Sequence, residues 1–346
     1  MSLRVLHLTG SAVSDFLAEL SLLYARDCLA ATADPDRYES HLAHVTPDGC
    51  WRFPADLSPE AIAAATPVEL AEALAHLCTL DLDVAVPQMF CLPGMTTYRA
   101  LLDLLGVPFV GNTPDVMALT AHKARAKAVV AAAGVAVPRG ELLRAGKRPT
   151  LAPPVVVKPA DADNSLGVTV VRDASAYEMA LRTALEHSGE VLVEEYVELG
   201  REVRCGIVER AGELVCLPLE EYAMDADTKP IRGLDDKISR GSDTDDLRLV
   251  AKDDTRAWIL DPADPVTEAV WDAARRAHVA LGCRHYSLMD FRIDPAGRPW
   301  FLEAGLYCSF AEQSVLVVMA QAAGIPLPEL FASSLRRARA SRQASG

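Results

Sequence analysis

The chain has 346 residues, half of them apolar, enough for two or three domains with a sizeable buried core. Its formal net charge of −14 excludes a surface built to hold nucleic acid or an anionic membrane. No apolar run approaches the roughly 18 residues that a bilayer span requires.

The chain opens with MSLRVLHLTG, which reads as a first β-strand and not as a leader peptide, so the expected setting is cytoplasmic. RVLHLTG and DVAVPQMF have the continuous apolar character of buried parallel strands. TPVELAEALAHLCTL reads as a helix, with Thr66 as N-cap, Pro67 as first helical residue and Glu69 completing a capping box. This strand–helix alternation predicts a doubly wound first domain over residues 1–115. Its cysteines and those further on (Cys28, Cys50, Cys78, Cys91, Cys205, Cys216, Cys283 and Cys308) form no CxxC pair, which argues against zinc and gives a disulfide framework no support. Reduced, mostly buried thiols are the plain expectation.

A small α+β domain is predicted over 116–190. It begins with the helix-like run ALTAHKARAKAVVAAAG, which carries Lys123, ends at Gly134 and turns at Pro138. Lys158 closes the β-branched run PPVVVKP, and the polar loop ADADNSLGV follows. Such a loop between strands can fold over phosphates, offering backbone N–H groups, the side chains of Asn164 and Ser165, and the free backbone of Gly167. VLVEEYVELGREV then places Glu194 and Glu195 at the end of an apolar run, with Glu202 shortly after.

A third domain is predicted over 191–340. Its clearest helix is DPADPVTEAVWDAARRAHVALG, marked at its start by Asp264 and Pro265. Residues 223–256 are rich in Asp, Lys and Arg and poor in apolar side chains, so they read as a solvated loop or as a lid. DFRIDPAGRPWFLE then joins two strand-like runs through Asp-Pro and Ala-Gly punctuation, a β-hairpin pattern. That hairpin would set Asp290 near Glu303. Two such carboxylates are either ordinary solvated acids or the ligands of a hard cation such as Mg²⁺ on nucleotide phosphates.

The series HKARAK, VVVKPADADNSLGV, VLVEEYVELGREV and DFRIDPAGRPWFLE, in this order from residue 80 to about 325, resembles the ATP-grasp superfamily and, within it, the D-alanine–D-alanine ligase-like group. LLDLLGVPFVGNTP is similar to the segment that closes the family's first domain, and EQSVLVVMAQAAGI to its final helix. The resemblance implies an α/β and α+β protein of three domains, with ATP held between the last two. It also implies an enzyme that phosphorylates a carboxylate and lets an amine attack the acylphosphate.

Under that resemblance Lys123 and Lys158 bind the α- and β-phosphates, and Asn164, Ser165 and Gly167 cover the β- and γ-phosphates. The backbone of Glu194, Glu195, Tyr196 and Val197 meets the adenine edge, and Glu202 holds the ribose. Leu302, with Met289, flanks the base. Asp290 and Glu303 hold Mg²⁺, with Mn²⁺ as an alternative. Lys237 is the first candidate for the lid's phosphate lysine and Lys229 the second. Ser314 matches a serine near the acceptor site. The implied partners are small carboxylate and amine substrates, with no nucleic acid and no membrane, in a homodimer formed through the first domain.

Several positions depart from the family pattern. The motif Glu-x-Asn reads Glu303-Ala304-Gly305, so one metal donor is missing. Leu288, two residues before Asp290, stands where the dipeptide ligases carry an oxyanion arginine; Arg292, two residues after Asp290, and Arg204 are the candidates to replace that charge. Phe90 replaces a pocket histidine, and neither Asp15 nor Glu19 is a clean match to the substrate-binding glutamate. Tyr307 and Ser309 occupy the loop where the family usually has a Pro-Gly turn. The ATP half is therefore family-like and the substrate half rebuilt. That pattern suits a ligase of specialised metabolism, such as antibiotic biosynthesis, over a D-alanine-joining wall enzyme. A nucleotide-binding regulatory protein without ligase chemistry and an ATP-dependent cyclase are the alternatives.

Overall fold

The computed structural model describes residues 2–162, 165–232, 238–240, 247–249 and 255–343. The chain opens with β1 (Leu3–Gly10) and α1 (Asp15–Thr32); the Ser14 hydroxyl caps α1 by accepting from the Leu17 N–H at 3.3 Å. Next come β2 (Tyr38–Val45), β3 (Trp51–Arg52), α2 (Pro59–Ala64), α3 (Leu70–Thr79) and β4 (Val84–Pro87). The sheet order is β3-β2-β1-β4, with β1 parallel to β2 and to β4 and β3 antiparallel at the edge. The helix expected to start at Thr66 starts instead at Leu70, with Glu69 at its N-cap and no side-chain bond there. Val68 exchanges both backbone hydrogen bonds with Trp51, at 2.9 Å each, and that pairing holds the preceding residues extended.

After α4 (Leu92–Met95) and α5 (Thr97–Leu104), the single helix-like run expected around Lys123 is two helices, α6 (Pro114–Ala121) and α7 (Lys123–Ala132). The break is at His122, whose Nδ1 accepts from the Arg125 N–H at 3.4 Å and caps α7. A second sheet follows from β5 (Gly140–Arg144), β6 (Val155–Pro159), β7 (Thr169–Val171), α8 (Tyr177–Leu185) and β8 (Glu190–Glu195). It is antiparallel, ordered β5-β8-β6-β7, over a small core of Val155, Val157, Val171, Ala180, Ala184 and Val193.

The third unit comprises β9 (Arg201–Arg210), β10 (Glu213–Cys216), β11 (Glu220–Tyr222), β12 (Ile238–Arg240), β13 (Leu247–Leu249), β14 (Ala257–Ile259), α9 (Thr267–Leu281), β15 (Tyr286–Ile293), β16 (Pro299–Ala304), α10 (Val315–Ala322) and α11 (Leu327–Gln343). Its sheet runs β14-β11-β9-β15-β16, with β10 beside β9; β12 and β13 pair separately. Of the lid expected over 223–256, residues 233–237, 241–246 and 250–254 lie outside the described residues. α9 begins at Thr267, after the expected Asp264-Pro265 start, and ends on Gly282 in the left-handed region at φ 72°.

The domain boundaries expected at 116 and 190 do not follow the sheets. β8 pairs with β5 and β6, so the second sheet runs past residue 190. α6 and α7 bury Val116, Met117, Ala126 and Val130 in one core with Val203, Phe291 and Phe301 of the third unit. The last helix, α11, returns to the beginning of the chain. Its Phe331 and Leu335, at most 2% exposed, share a core with Val5, Val84 and Val86 of the first sheet. Burying each such side chain contributes about 1.5–3 kcal/mol. Among the described residues no single helix is long and apolar enough to cross a membrane, and six of the eight cysteines are buried.

Candidate active site

The hairpin expected over 290–303 is β15 and β16. Asp294 accepts from the N–H groups of Ala296 and Arg298 at 3.0 and 2.9 Å, and Gly297 takes φ 83° to close the turn. Asp290 and Glu303 face each other in register, next to a bulge between Asp290 and Phe291. They form one wall of a cleft of about 820 Å³ between the second and third sheets.

The cleft gathers most residues named from the sequence. Lys123 reaches it from the first turn of α7, where the Lys123 N–H donates to the Ala160 carbonyl at 2.8 Å. Lys158 and Glu194 come from β6 and β8, and Ser165 from the polar loop, while Glu195, Val197 and Glu202 line the linker side. Arg292 and Leu302 complete it from β15 and β16. Gly167 does not line the cleft, but a Cβ there would lie 2.8 Å from His187 and 3.0 Å from Pro159, so the loop needs glycine. Tyr196 is set back, its ring between the guanidinium carbons of Arg172 at 5.5 Å and Arg292 at 5.4 Å. The backbone N–H groups of Glu195 and Tyr196 are already used, by the carbonyls of Arg139 and Pro154. Met289 is fully buried in the core, so Val156, Val168 and Ile231 join Leu302 as the apolar lining instead. Asn164 and Lys237 lie outside the described residues; Lys229 exchanges backbone hydrogen bonds with Asp225.

Lys123, Lys158, Glu194, Glu202, Asp290 and Arg292 of this cleft are buried, and each lies beside an opposite charge. The Glu194 carboxylate bridges Lys127 and Lys158, the latter at 2.5 Å. Burial alone would raise the Glu194 carboxyl, but the two lysines outweigh it and hold it below its ordinary range. Burial would likewise lower Lys158; Glu194 and Glu303 reverse this and raise it. Lys127 goes the other way: burial exceeds the help from Glu194 and brings it down to about 7. Sequence reading passed over Lys127, although its i+4 spacing from Lys123 puts the two on one face of α7.

Both expected metal carboxylates have cationic neighbours. Glu303 lies 3.6 Å from the Lys123 ammonium. Arg204, opposite Asp290 in the β9–β15 register, holds both Asp290 oxygens in a two-pronged pair, one contact at 2.7 Å. Burial works against the Arg204 charge, yet Asp290 keeps its guanidinium above the usual range. Among the described residues no group of three or more His, Cys, Asp or Glu is set for a metal. The register-paired carboxylates still fit a magnesium ion that keeps few protein ligands and fills its shell with phosphate and water oxygens. A Cβ at Gly305 would meet nothing within 4 Å, so the missing asparagine leaves open space.

Arg292 does not sit where the oxyanion charge was expected. Its guanidinium donates to Glu202 at 2.7 Å, to the Pro230 carbonyl at 2.7 Å and to the Val197 carbonyl at 3.3 Å. Period-two spacing puts Arg292 on the face of Leu288, but four residues of strand carry it about 13 Å along, toward the linker. Ser314 lines neither this cleft nor its neighbour; its hydroxyl donates to the Ser309 carbonyl at 2.6 Å and holds that loop.

The neighbouring cavity shares Lys123 and Glu303 with the first. Arg204 reaches it from β9 and Leu288 from β15. Met95, Met117 and Thr120 line it from the other side, and Gly305 to Tyr307 from the loop after β16. Tyr307 packs on Phe90 with ring centroids 5.7 Å apart, and Phe90 on Tyr24 at 5.2 Å. A phosphoryl donor in the first cavity and an acid in the second would therefore meet at Lys123 and Glu303.

Residues 144–335 match the family model described as D-ala D-ala ligase C-terminus. The chain is 31% identical to a D-alanine–D-alanine ligase of Nocardia farcinica, over 91% of this chain and 93% of that protein. With a D-alanine–D-alanine ligase of Gloeobacter violaceus the identity is 30%, over 67% of this chain and 74% of that one. The solved structure of the VanG D-Ala:D-Ser ligase from Enterococcus faecalis is similar in fold, with TM-score 0.77 and 21% identity over 98% of this chain and 100% of that chain.

Proposed function

The chain belongs to the D-alanine–D-alanine ligase family of ATP-grasp proteins, and from that premise we propose that it is an ADP-forming carboxylate–amine ligase of specialised metabolism. The observation that carries this reading is the pair of cavities that meet at Lys123 and Glu303. One is lined with phosphate-binding lysines, the other with apolar groups and Arg204.

ATP lies in the first cleft. Lys123 and Lys158 neutralise its phosphates, and the loop with Ser165 covers them. Glu202, positioned by Arg292, takes the ribose hydroxyls. An acid (an amino acid or a relative of one) enters the second cavity and its carboxylate oxygen attacks the γ-phosphorus, with ADP as leaving group. The amine then attacks the acyl carbon; phosphate leaves and the amine loses a proton. Both steps build negative charge beside Lys123 and Arg204, where little water competes. Asp290 and Glu303 would hold Mg²⁺, which supplies counter-charge for the phosphates. With Leu288 in place of arginine, Arg204 is the guanidinium that faces the acid.

The test is acid- and amine-dependent ADP release by the pure protein with Mg·ATP, with the product identified by mass. ATP-dependent amide formation supports the reading. A second reading, a nucleotide-binding module without ligase chemistry, is favoured by Asp290 being held by Arg204 and by the open space at Gly305. Nucleotide binding with no substrate-dependent ADP release across a broad panel would select it.

A further inference from the structure

A row of four charged residues crosses the third sheet. In the register of β11, β9, β15 and β16, Glu220 is opposite Arg204, Arg204 opposite Asp290, and Asp290 opposite Glu303. Residues opposite one another on antiparallel strands share a face, so the four side chains leave the sheet on one side. Asp290 and Glu303 line the first cleft and Arg204 the second cavity. Glu220 lines neither, is 1% exposed, and has no part in the chemistry described so far.

Glu220 is tied to Arg204 through more than the register. Its carboxylate accepts from the hydroxyl of Tyr222, two residues along β11 and on the same face. Burial pushes that hydroxyl well above its ordinary range, so it stays a donor. The Tyr222 ring lies 5.8 Å from the Arg204 guanidinium carbon, and Arg232 lies on the same ring at 3.4 Å and pins it. Burial opposes the charge on Arg204; Asp290 does most to restore it, and Glu220 adds to that.

A metal ion upsets this balance. Asp290 gives both oxygens to Arg204, and the same carboxylate is the expected ligand of Mg²⁺. Once an oxygen turns to the cation, Arg204 loses part of its counter-charge as the acid arrives, and a buried guanidinium stripped of its partner is costly. We propose that Glu220 and Tyr222 are positioning residues: they supply the second counter-charge that holds Arg204 in the acid cavity while Asp290 serves the metal. Their use in catalysis deepens the ligase reading and rests on it. Without the Glu220 charge, Arg204 leans harder on Asp290 and competes with the metal for it.

The first measurement is Mn²⁺ binding by the whole protein saturated with the β,γ-imido analogue of ATP, read from the spin resonance signal of the free ion. Glu220→Gln should weaken Mn²⁺ binding by about fivefold, but by no more than about twofold in an Arg204→Gln background. Glu220→Asp, which keeps the charge, should recover most of the loss. An unchanged affinity overturns the proposal. So does an equal loss in both backgrounds, which is what the bare distance between two charges would give. If Glu220→Gln does not fold, Tyr222→Phe replaces it: a weakening of about twofold that needs Arg204 supports the proposal, and none overturns it.

The second measurement uses Mg·ATP and hydroxylamine, which traps an acylphosphate as a hydroxamate, with D-alanine and 3-phenylpropanoate as probes. At saturating Mg²⁺, Glu220→Gln should lower kcat/KM for the activated acid by about tenfold and leave the KM for ATP unchanged. An unmoved kcat/KM overturns the catalytic use of Glu220 and spares the ligase reading. ADP release with neither probe nor any acid of a broad panel, while the Mn²⁺ pattern holds, overturns the ligase reading and leaves the hold on Arg204 standing.

Discussion

The two cavities share a wall and follow opposite rules. In the first cleft six of the nine charged lining residues are buried, and several are bonded to one another: Lys158 to Glu194, Arg292 to Glu202. In the acid cavity Met95, Met117, Leu288, Leu306 and Tyr307 stand beside the charged Lys123, Arg204 and Glu303. A triphosphate is the same in every reaction, so its cleft can be a fixed lattice of charges whose positions cost little to reorganise during catalysis. The acid differs between enzymes, and methionine fills irregular space with little commitment to one shape.

The shared wall should be the most sensitive place. Glu303→Gln is expected to lower turnover by about a hundredfold or more, with partial rescue by Mn²⁺ or high Mg²⁺, because it weakens the counter-charge of both steps. Full turnover at low Mg²⁺ would show that the cavities do not meet there chemically. Next in size, the two arginines should separate the cavities. Arg204→Gln should cut kcat/KM for the acid by about tenfold to a hundredfold and leave Mg·ATP affinity little changed. Arg292→Ala should weaken ATP binding by about tenfold and spare the acid's KM. Reversal of these two patterns, in titrations and initial rates, would exchange the roles assigned to the two residues.

Gly305→Asn should have a smaller and opposite effect. The open space accepts the side chain, and an added carboxamide oxygen should lower the Mg²⁺ concentration needed for half-maximal rate by a few-fold, about threefold to tenfold. An unchanged Mg²⁺ requirement would mean that the metal does not lie between Asp290 and this position.

A last effect concerns stability against pH and not turnover. Lys127 is held at about 7 in the folded chain against 10.5 in its ordinary state. Between those values the unfolded chain carries the extra proton, so stability rises with pH; below about 7 the full penalty is present. Lys127→Met should flatten that rise, which is at most about 1.4 kcal/mol per pH unit. Denaturation midpoints across this range that run parallel in the two proteins would contradict the assignment.

Much of the lining of the first cleft was legible because its residues announce themselves locally. A lysine ending a β-branched run, a polar glycine loop and two acids flanking a turn each occupy one short segment. What escaped depends on distance in the chain. Arg204 meets Asp290 only because β9 and β15 pair in one register, 86 residues apart, and no period in either segment shows it. Arg292 was read on the right face of its strand but too near the reacting centre. The break at His122 was hidden because alanine-rich sequence on both sides favours helix, and only the cap reveals the stop. The acid cavity is the extreme case, since Met95, Met117, Leu288 and Tyr307 come from separate segments and each alone reads as ordinary core.

The return of α11 to the first sheet bears on how the protein is made. Phe331 and Leu335 complete a core whose other half, Val5, Val84 and Val86, leaves the ribosome first. The first sheet therefore waits for α11, and until then its apolar face is covered only in part, by Cys28 and Ala31 of α1. A nascent or truncated chain that stops before residue 327 should be soluble only with a holdase, whereas chains reaching the end of α11 should resist protease. Truncations at the two points, compared by protease resistance during translation, would show whether the terminal helix sets the moment at which the whole protein becomes safe from aggregation.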